Sequence, residues 1–299
     1  MSKHTEIRFE DAIAESLTVS GGYVLGDPDG FDAERALFPD DVIAFIVATQ
    51  AKRWASLQEF HGDRARDTLL DSLCKELSAK GSLHVLRHGF KCFGKTWKLA
   101  YFAPASGMNP DALADYAANH LTATRQVHFD PKQKSLSLDL VLSINGLPIV
   151  RMELKNQMSG QTVEHAKTQY KKDRDPSCPI FRFKERTLVH FAVDTDLAYM
   201  TTRLSGSKTF FLPFNKGYGH GAGNPPAEDN YRTAYLWEEV LTKDSLMDIL
   251  ARFLHLEVTE TKVVTERGIK SHRKETMIFP RYHQLDAVRK LVADAKVKG

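Results

Sequence analysis

The chain has only three cysteines in 299 residues, Cys74, Cys92 and Cys178, and no CxxC pair. Neither a disulfide framework nor a cysteine zinc site is expected, and the thiols read as reduced. No apolar run approaches the roughly 18 to 20 residues a membrane helix needs, because Asp139, Ser143 and His190 interrupt the strongest stretches. The opening Met1-Ser2-Lys3-His4-Thr5-Glu6 lacks the basic-then-apolar order of a signal peptide. A cytoplasmic location without a membrane partner is therefore expected. No GxxxxGKS or GxxxxGKT stretch is present to cradle nucleotide phosphates, and no internal repeat is found. A strong excess of one charge is lacking too: 41 Lys+Arg against 38 Asp+Glu leave +3, a faint pointer to a polyanionic partner. What remains is ordinary globular material, 42% hydrophobic and 26% charged, which excludes a disordered or fibrous chain. Its length suits one large domain or two small ones.

Charge is distributed unevenly. From Arg151 to Arg186 nine Lys or Arg residues stand against five acids, more excess than the whole chain carries. Ordinarily such a run is a solvated helix face. Ile7, Phe9, Ile13 and Leu17 mark an opening helix ending at Gly21-Gly22. Helical patterns over about 41–60 and 64–78 make a helical insertion of about 41–80. Stretches 84–92 and 97–102 read as strands, and Asn109-Pro110 opens a helix running to about residue 121. Residues 138–144 and 149–154 flank Asn145-Gly146, a strong hairpin signal. A polar helix over about 160–174 follows, then strands at 187–193 and 197–202, a surface loop at 216–226 and a helix pair near 236 and over 245–254. Residues 257–278 are polar and read as a linker. The alternation implies an α/β domain with a mixed sheet.

Asp139 lies in an otherwise apolar strand, and Glu153-Leu154-Lys155 ends the partner strand. A carboxylate buried without a partner costs several kcal/mol. Asp139 is therefore expected at a strand end, in a salt bridge or on a metal. Pairing with Lys155 or Arg151 is the ordinary alternative, and the ExK pattern is cheap, since Glu260-Thr261-Lys262 also matches it. The chemical alternative is specific. Two carboxylates from adjacent strands are hard ligands suited to Mg²⁺, and a lysine beside them can orient an attacking water. That combination hydrolyses phosphodiesters. The basic helix would lie where a polyanion approaches, with Lys167, Lys171, Lys172 and Arg174 as expected DNA contacts and Gln169-Tyr170 as polar support. His84 and His88 have i, i+4 spacing but no third ligand, so a zinc site is not expected.

Parity constrains the hairpin. A regular two-residue loop at Asn145-Gly146 would pair Asp139 with Met152 and put it on the face opposite Glu153. Bringing the two acids together needs an odd-length turn or a bulge between Leu142 and Ile149. A three-residue loop over 144–146, with Gly146 left-handed, is one route, and pairs Asp139 with Arg151.

From Leu138-Asp139-Leu140 through Asn145-Gly146-Leu147-Pro148 to Met152-Glu153-Leu154-Lys155-Asn156-Gln157, the chain resembles the PD-(D/E)xK nuclease motif near the N-terminus of the restriction (R, motor) subunit of type I restriction-modification enzymes. The opening helix around Thr5-Glu6 and Glu10, and the run from His190 through Asp194 to Gly217, resemble the same region. The resemblance implies a restriction-endonuclease-like α/β core over 1–256, cutting double-stranded DNA with Mg²⁺. Asp139 and Glu153 would be metal ligands, Lys155 the catalytic lysine, and Glu6 or Glu10 a further ligand. Gln169 falls where a related QxxxY motif has its glutamine, although position 173 is Asp173 rather than tyrosine. Phe279-Pro280-Arg281-Tyr282-His283-Gln284 is similar to the segment opening a helicase-like motor, so 279–299 is expected to begin one, with Gln284 contacting adenine and ATP bound only in a full-length subunit. The implied partners are the modification (methyltransferase) and specificity subunits. An idle DNA-binding or assembly module, and a free-standing phage-defence or repair nuclease, are the alternatives.

Overall fold

The computed structural model describes residues 2–105, 108–265 and 268–298; the side chains of 2–6, 263–265, 268–270 and 272 lie outside the description, and with them that of Glu6. In chain order the elements are α1 (Ser2–Val19), β1 (Val24–Leu25), α2 (Pro39–Thr49), α3 (Ala51–His61), α4 (Ala65–Lys80), α5 (Ser82–His88), β2 (Phe90–Cys92), β3 (Lys95–Trp97), α6 (Pro110–Ala117), β4 (Leu121–His128), β5 (Ser137–Ile144), β6 (Leu147–Leu154), α7 (Val163–Lys172), β7 (Val189–Val193), β8 (Ala198–Thr201), β9 (Leu212–Pro213), α8 (Lys243–Asp248), β10 (His255–Thr265), β11 (Gly268–Ile278) and α9 (Tyr282–Lys298).

Seven strands form one mixed sheet in the order β1-β4-β5-β6-β7-β8-β9. Pairs β1–β4 and β6–β7 are parallel and the rest antiparallel. Because β6 and β7 run parallel, the chain must cross over between them, and α7 makes that crossing. Both faces of the sheet are covered. Leu140, Leu142, Val150, Met152 and Leu154 join a large core with Phe9, Ile13 and Leu17 of α1. Val141 and Ala192 turn the other way, into a smaller core with Val163, Ala166 and Tyr170 of α7. Burial on both faces explains why β6 is buried at every position, its two charged residues included. This is the mixed-sheet α/β architecture expected of a PD-(D/E)xK core.

Several elements differ from the sequence expectation. The helix over 41–60 is two helices, broken at Gln50 (φ −138°, ψ 39°). There the amide side chain accepts the Lys98 N–H and donates to the Lys98 carbonyl, both at 2.9 Å, imitating a strand partner. Residues 82–88 form helix α5 rather than a strand, so His84 and His88 stack side by side with ring centroids 4.7 Å apart. Seven residues are too few for periodicity to separate the two forms. The helix of 110 onward stops at Ala117, and β4 occupies the strand that completes the sheet beside β5.

Residues 257–278 are no linker. Strands β10 and β11 pair from His255↔Ile278 onward as a long antiparallel ribbon. Its polarity reflects strands that stand away from the core. Beyond the ribbon Phe279 returns to the interior, 5.9 Å from Phe191 and 6.0 Å from Phe214 between ring centroids, and Leu285 is buried in the same core. Among the described residues no helix is long and apolar enough to cross a membrane, and all three cysteines are free thiols.

Candidate nuclease site

The hairpin that carries Asp139 and Glu153 is built around a buried turn. Asn145 and Gly146 both take positive φ, 50° and 82°, as a type I′ turn requires. Asn145 is fully buried: its Oδ1 accepts the His120 N–H at 2.7 Å, and its Nδ2 donates to the Leu99 carbonyl at 2.8 Å. The loop thus has two residues, with Ile144 opposite Leu147 and Ser143 opposite Pro148, not the three of the alternative route. The register then shifts, Leu142 pairing with Val150, so Ile149 is the extra residue of a β-bulge. Past it, Val141 faces Arg151 and Leu140 faces Met152. Continuing that register sets Asp139 opposite Glu153 rather than Arg151, on the same face of the sheet. The bulge supplies the parity change that a regular hairpin lacks.

Asp139 is half-buried at the start of the strand, and its Oδ2 accepts the N–H of Leu154 at 2.7 Å. Burial, the charge of Glu153 and, less strongly, that of Glu10 push its carboxyl well above the usual range, against the opposing pull of Lys155 and the Leu154 N–H. Lys155 follows at the end of β6 and is anchored through its backbone N–H to the Val193 carbonyl at 2.9 Å. Glu10 approaches from α1; its carboxylate accepts from Gln126 Nε2 at 3.1 Å and from Arg125 Nη2 at 3.2 Å.

Glu153 sits differently. It is 0% exposed and both oxygens are taken. Oε1 accepts from Arg174 Nε at 2.7 Å and from Arg151 Nη2 at 3.0 Å, while Oε2 accepts from Arg174 Nη2 at 3.1 Å. Arg151 is itself fully buried, with its guanidinium 4.0 Å from the Phe181 ring centroid and 4.6 Å from that of Tyr170. Stacking of this kind is worth about 2 kcal/mol when desolvated. Among the described residues its Nε and Nη1 find no hydrogen-bond partner, nor does Nδ1 of His190, the cross-strand neighbour of Arg151 on β7. Burial, with Arg151 beside it, holds His190 well below its usual pKa.

Arg174, expected on a DNA-facing surface, is instead turned inward. It is 3% exposed, and beyond Glu153 it donates to the Ser137 carbonyl at 2.8 Å. Burial alone would lower its pKa, yet Glu153 and Asp139 keep its guanidinium above the ordinary range. Lys167 pairs with Glu164 at 2.6 Å and lies 4.1 Å from the Tyr199 ring centroid. Lys172 is exposed and Lys171 half-buried at the end of α7. Gln169 is half-buried and makes no side-chain hydrogen bond among the described residues. Tyr170, the neighbour of Gln169, is buried and donates to the Phe191 carbonyl at 2.9 Å. Gln284 accepts the Arg281 N–H at 2.9 Å, closing the start of α9.

Two residues here escaped the sequence reading. Arg151, a candidate partner for Asp139 by sequence, pairs with Glu153 instead. Asp194, at the end of β7, accepts the Val163 N–H at 2.8 Å and the Leu197 N–H at 2.7 Å, fixing the start of α7 over the sheet. Asp194 also accepts the Asp196 N–H at 2.8 Å, the contact two residues on that makes an Asx-turn.

A hard divalent cation suits Asp139, a carboxylate crowded by two others with one oxygen bound to a described donor. Glu153 has the right chemistry but its oxygens are committed to guanidinium groups. Among the described residues, no group of three or more His, Cys, Asp or Glu side chains is assembled to hold a metal ion. Comparison with curated proteins and with solved structures finds no match. Residues 64–209 match the family described as type I restriction enzyme R protein N terminus. That stretch holds β4 to β8, α7 and every acid, lysine and arginine of the site except Glu10, Glu6 and their α1, and over it the chain is similar to the N-terminal regions of type I restriction enzyme R proteins.

Proposed function

We propose that this chain is a Mg²⁺-dependent DNA endonuclease domain that hydrolyses phosphodiester bonds within a type I restriction complex. The observation that carries the reading is the bulge at Ile149, which sets Asp139 beside Glu153 with Lys155 one step further along the same face. Nothing in folding alone calls for crowding carboxylates there, since the crowding raises the cost of ionising Asp139. Asp139 and Glu153 would hold Mg²⁺, which when bound supplies charge stabilisation to a scissile phosphate, and Glu10 of α1 is the nearest candidate for a further ligand. Lys155, next to these acids, is suited to orient water and steady its proton as it attacks. Lys171 and Lys172 at the end of α7 would contact the DNA backbone. The modification and specificity subunits are the proposed partners, and α9 with Gln284 would lead toward an ATP-binding motor in a full-length subunit.

A second reading is a DNA-binding or assembly module without catalysis, and the observation favouring it is the double arginine clamp on the wholly buried Glu153. Nicking of supercoiled double-stranded DNA separates the two. With Mg²⁺ the nuclease reading expects nicks that EDTA, Asp139→Ala or Lys155→Ala abolish, and Lys155→Ala should keep most of its metal binding. DNA binding with no metal-dependent nicking, unchanged by these substitutions, would favour the module.

A further inference from the structure

The charge count around Glu153 is unbalanced in an informative way. Two guanidinium groups share one carboxylate, and they are held by unequal supports. Arg151 belongs to the middle of β6, is stacked between Phe181 and Tyr170, and is locked in the core. Arg174 belongs to irregular chain just beyond α7, reaching in with a two-point grip on Glu153, one bond to the Ser137 carbonyl and a single looser ring contact, 5.2 Å from the Phe129 centroid. If Arg174 withdrew, Glu153 would keep Arg151 as counter-ion, so no buried anion would be stranded, and stranding is what makes breaking a buried pair expensive. Arg174 is two residues from the exposed Lys172, at the end of the helix that faces a polyanion in the nuclease reading. A guanidinium fork binds phosphate as readily as carboxylate.

We infer that Arg174 is a latch on Glu153: it occupies the carboxylate in the absence of DNA and exchanges it for a DNA phosphate when the duplex docks, releasing Glu153 to the metal. This rests on the Mg²⁺ nuclease reading and adds its regulation. The clamp and the metal compete for the same two oxygens. Metal affinity without DNA should therefore be weak in the native chain and should rise when the clamp is removed. Metal binding before a duplex has docked would be suppressed by the same contact.

Calorimetric titration of Mg²⁺ into the full chain without DNA tests the competition. Arg174→Gln should bind Mg²⁺ between about 5-fold and 150-fold more tightly than the native chain, the span of ordinary coupling energies. Arg174→Lys keeps the charge but cannot grip both oxygens, so it should show a smaller gain and decides the matter if Arg174→Gln does not fold. Equal or weaker Mg²⁺ affinity in folded variants overturns the latch. Asp139→Asn separates the two ideas. Native binding that Asp139→Asn removes, with no change in the Arg174 variants, sinks the latch alone, whereas no Mg²⁺ binding by any of these proteins sinks the metal reading with it. In EDTA, the log–log salt slope of DNA binding should be shallower by about 0.9 in Arg174→Gln, and an unchanged slope overturns the exchange onto phosphate.

Discussion

Asp139 accepts the backbone N–H of Leu154 at 2.7 Å, so the acid of β5 is tied to the residue that lies between Glu153 and Lys155 on β6. The contact exists because Ile149 is bulged; without that extra residue the two strands would present Asp139 and Glu153 to opposite faces. It also holds Asp139 where burial and its acidic neighbours penalise its charge.

That penalty yields a prediction. Asn in place of Asp139 has nearly the same shape and carries no charge, so Asp139→Asn should remove metal-dependent nicking and at the same time raise the thermal stability of the metal-free chain at neutral pH. The gain reflects an electrostatic cost retained for function. Thermal unfolding in EDTA measures it. A variant less stable than the native chain would show that Asp139 is mainly a structural anchor for Leu154.

The turn makes a second, independent prediction. Gly146 has φ 82°, and a Cβ there would lie 2.4 Å from the Phe38 carbonyl oxygen and 2.7 Å from Val42 Cγ2. Gly146→Ala adds backbone strain to a collision with α2 and should destabilise the fold by more than about 1 kcal/mol. Chemical denaturation reads this directly. An unchanged midpoint would mean that α2 can shift away from the hairpin at no cost.

How far these features were legible in sequence depends on their range. Asn145-Gly146 announced its hairpin because the positive φ values it needs are a local property, and parity then demanded a bulge from two acids alone. The location of the bulge at Ile149 was not legible, since Pro148 and Ile149 both suit an irregular strand position. Helix α5 was missed because a seven-residue segment fits either period. The inward turn of Arg174 was illegible for a different reason. A cation at the end of a basic helix has the same local pattern whether it points to solvent or inward, and its partner Glu153 is 21 positions away. The clamp is a tertiary fact, set by how α7 crosses from β6 to β7.

His190 supplies a pH prediction. Its imidazole is buried beside Arg151, with a pKa well below the ordinary 6.5, so the folded state resists the proton that the unfolded chain accepts. Protonation then favours unfolding: the contribution of His190 to stability should be constant above pH about 6.5 and fall as pH drops from there toward the depressed folded value. In His190→Leu that part of the decline should disappear, leaving the carboxylate losses at lower pH. Urea midpoints measured across this window test the sign. Parallel native and variant curves would mean that His190 takes up no extra proton on unfolding.

The basic end of α7 gives the last prediction. Lys167 is already paired with Glu164 and packed on Tyr199, and Arg174 is turned inward, so Lys171 and Lys172 are the cations of this group best placed to meet a phosphate. Each phosphate contact releases condensed counterions, and losing one lowers the slope of log affinity against log salt by about 0.9. Lys171→Glu with Lys172→Glu should therefore flatten the slope by nearly twice that amount and weaken binding to all duplexes alike, because backbone contacts carry no base information. Lys167→Glu should leave the slope close to native while costing some stability through its lost contacts with Glu164 and Tyr199. Fluorescence anisotropy over a salt series separates these outcomes. If Lys167→Glu flattened the slope and the double variant did not, the DNA face would lie on the Lys167 side of the helix.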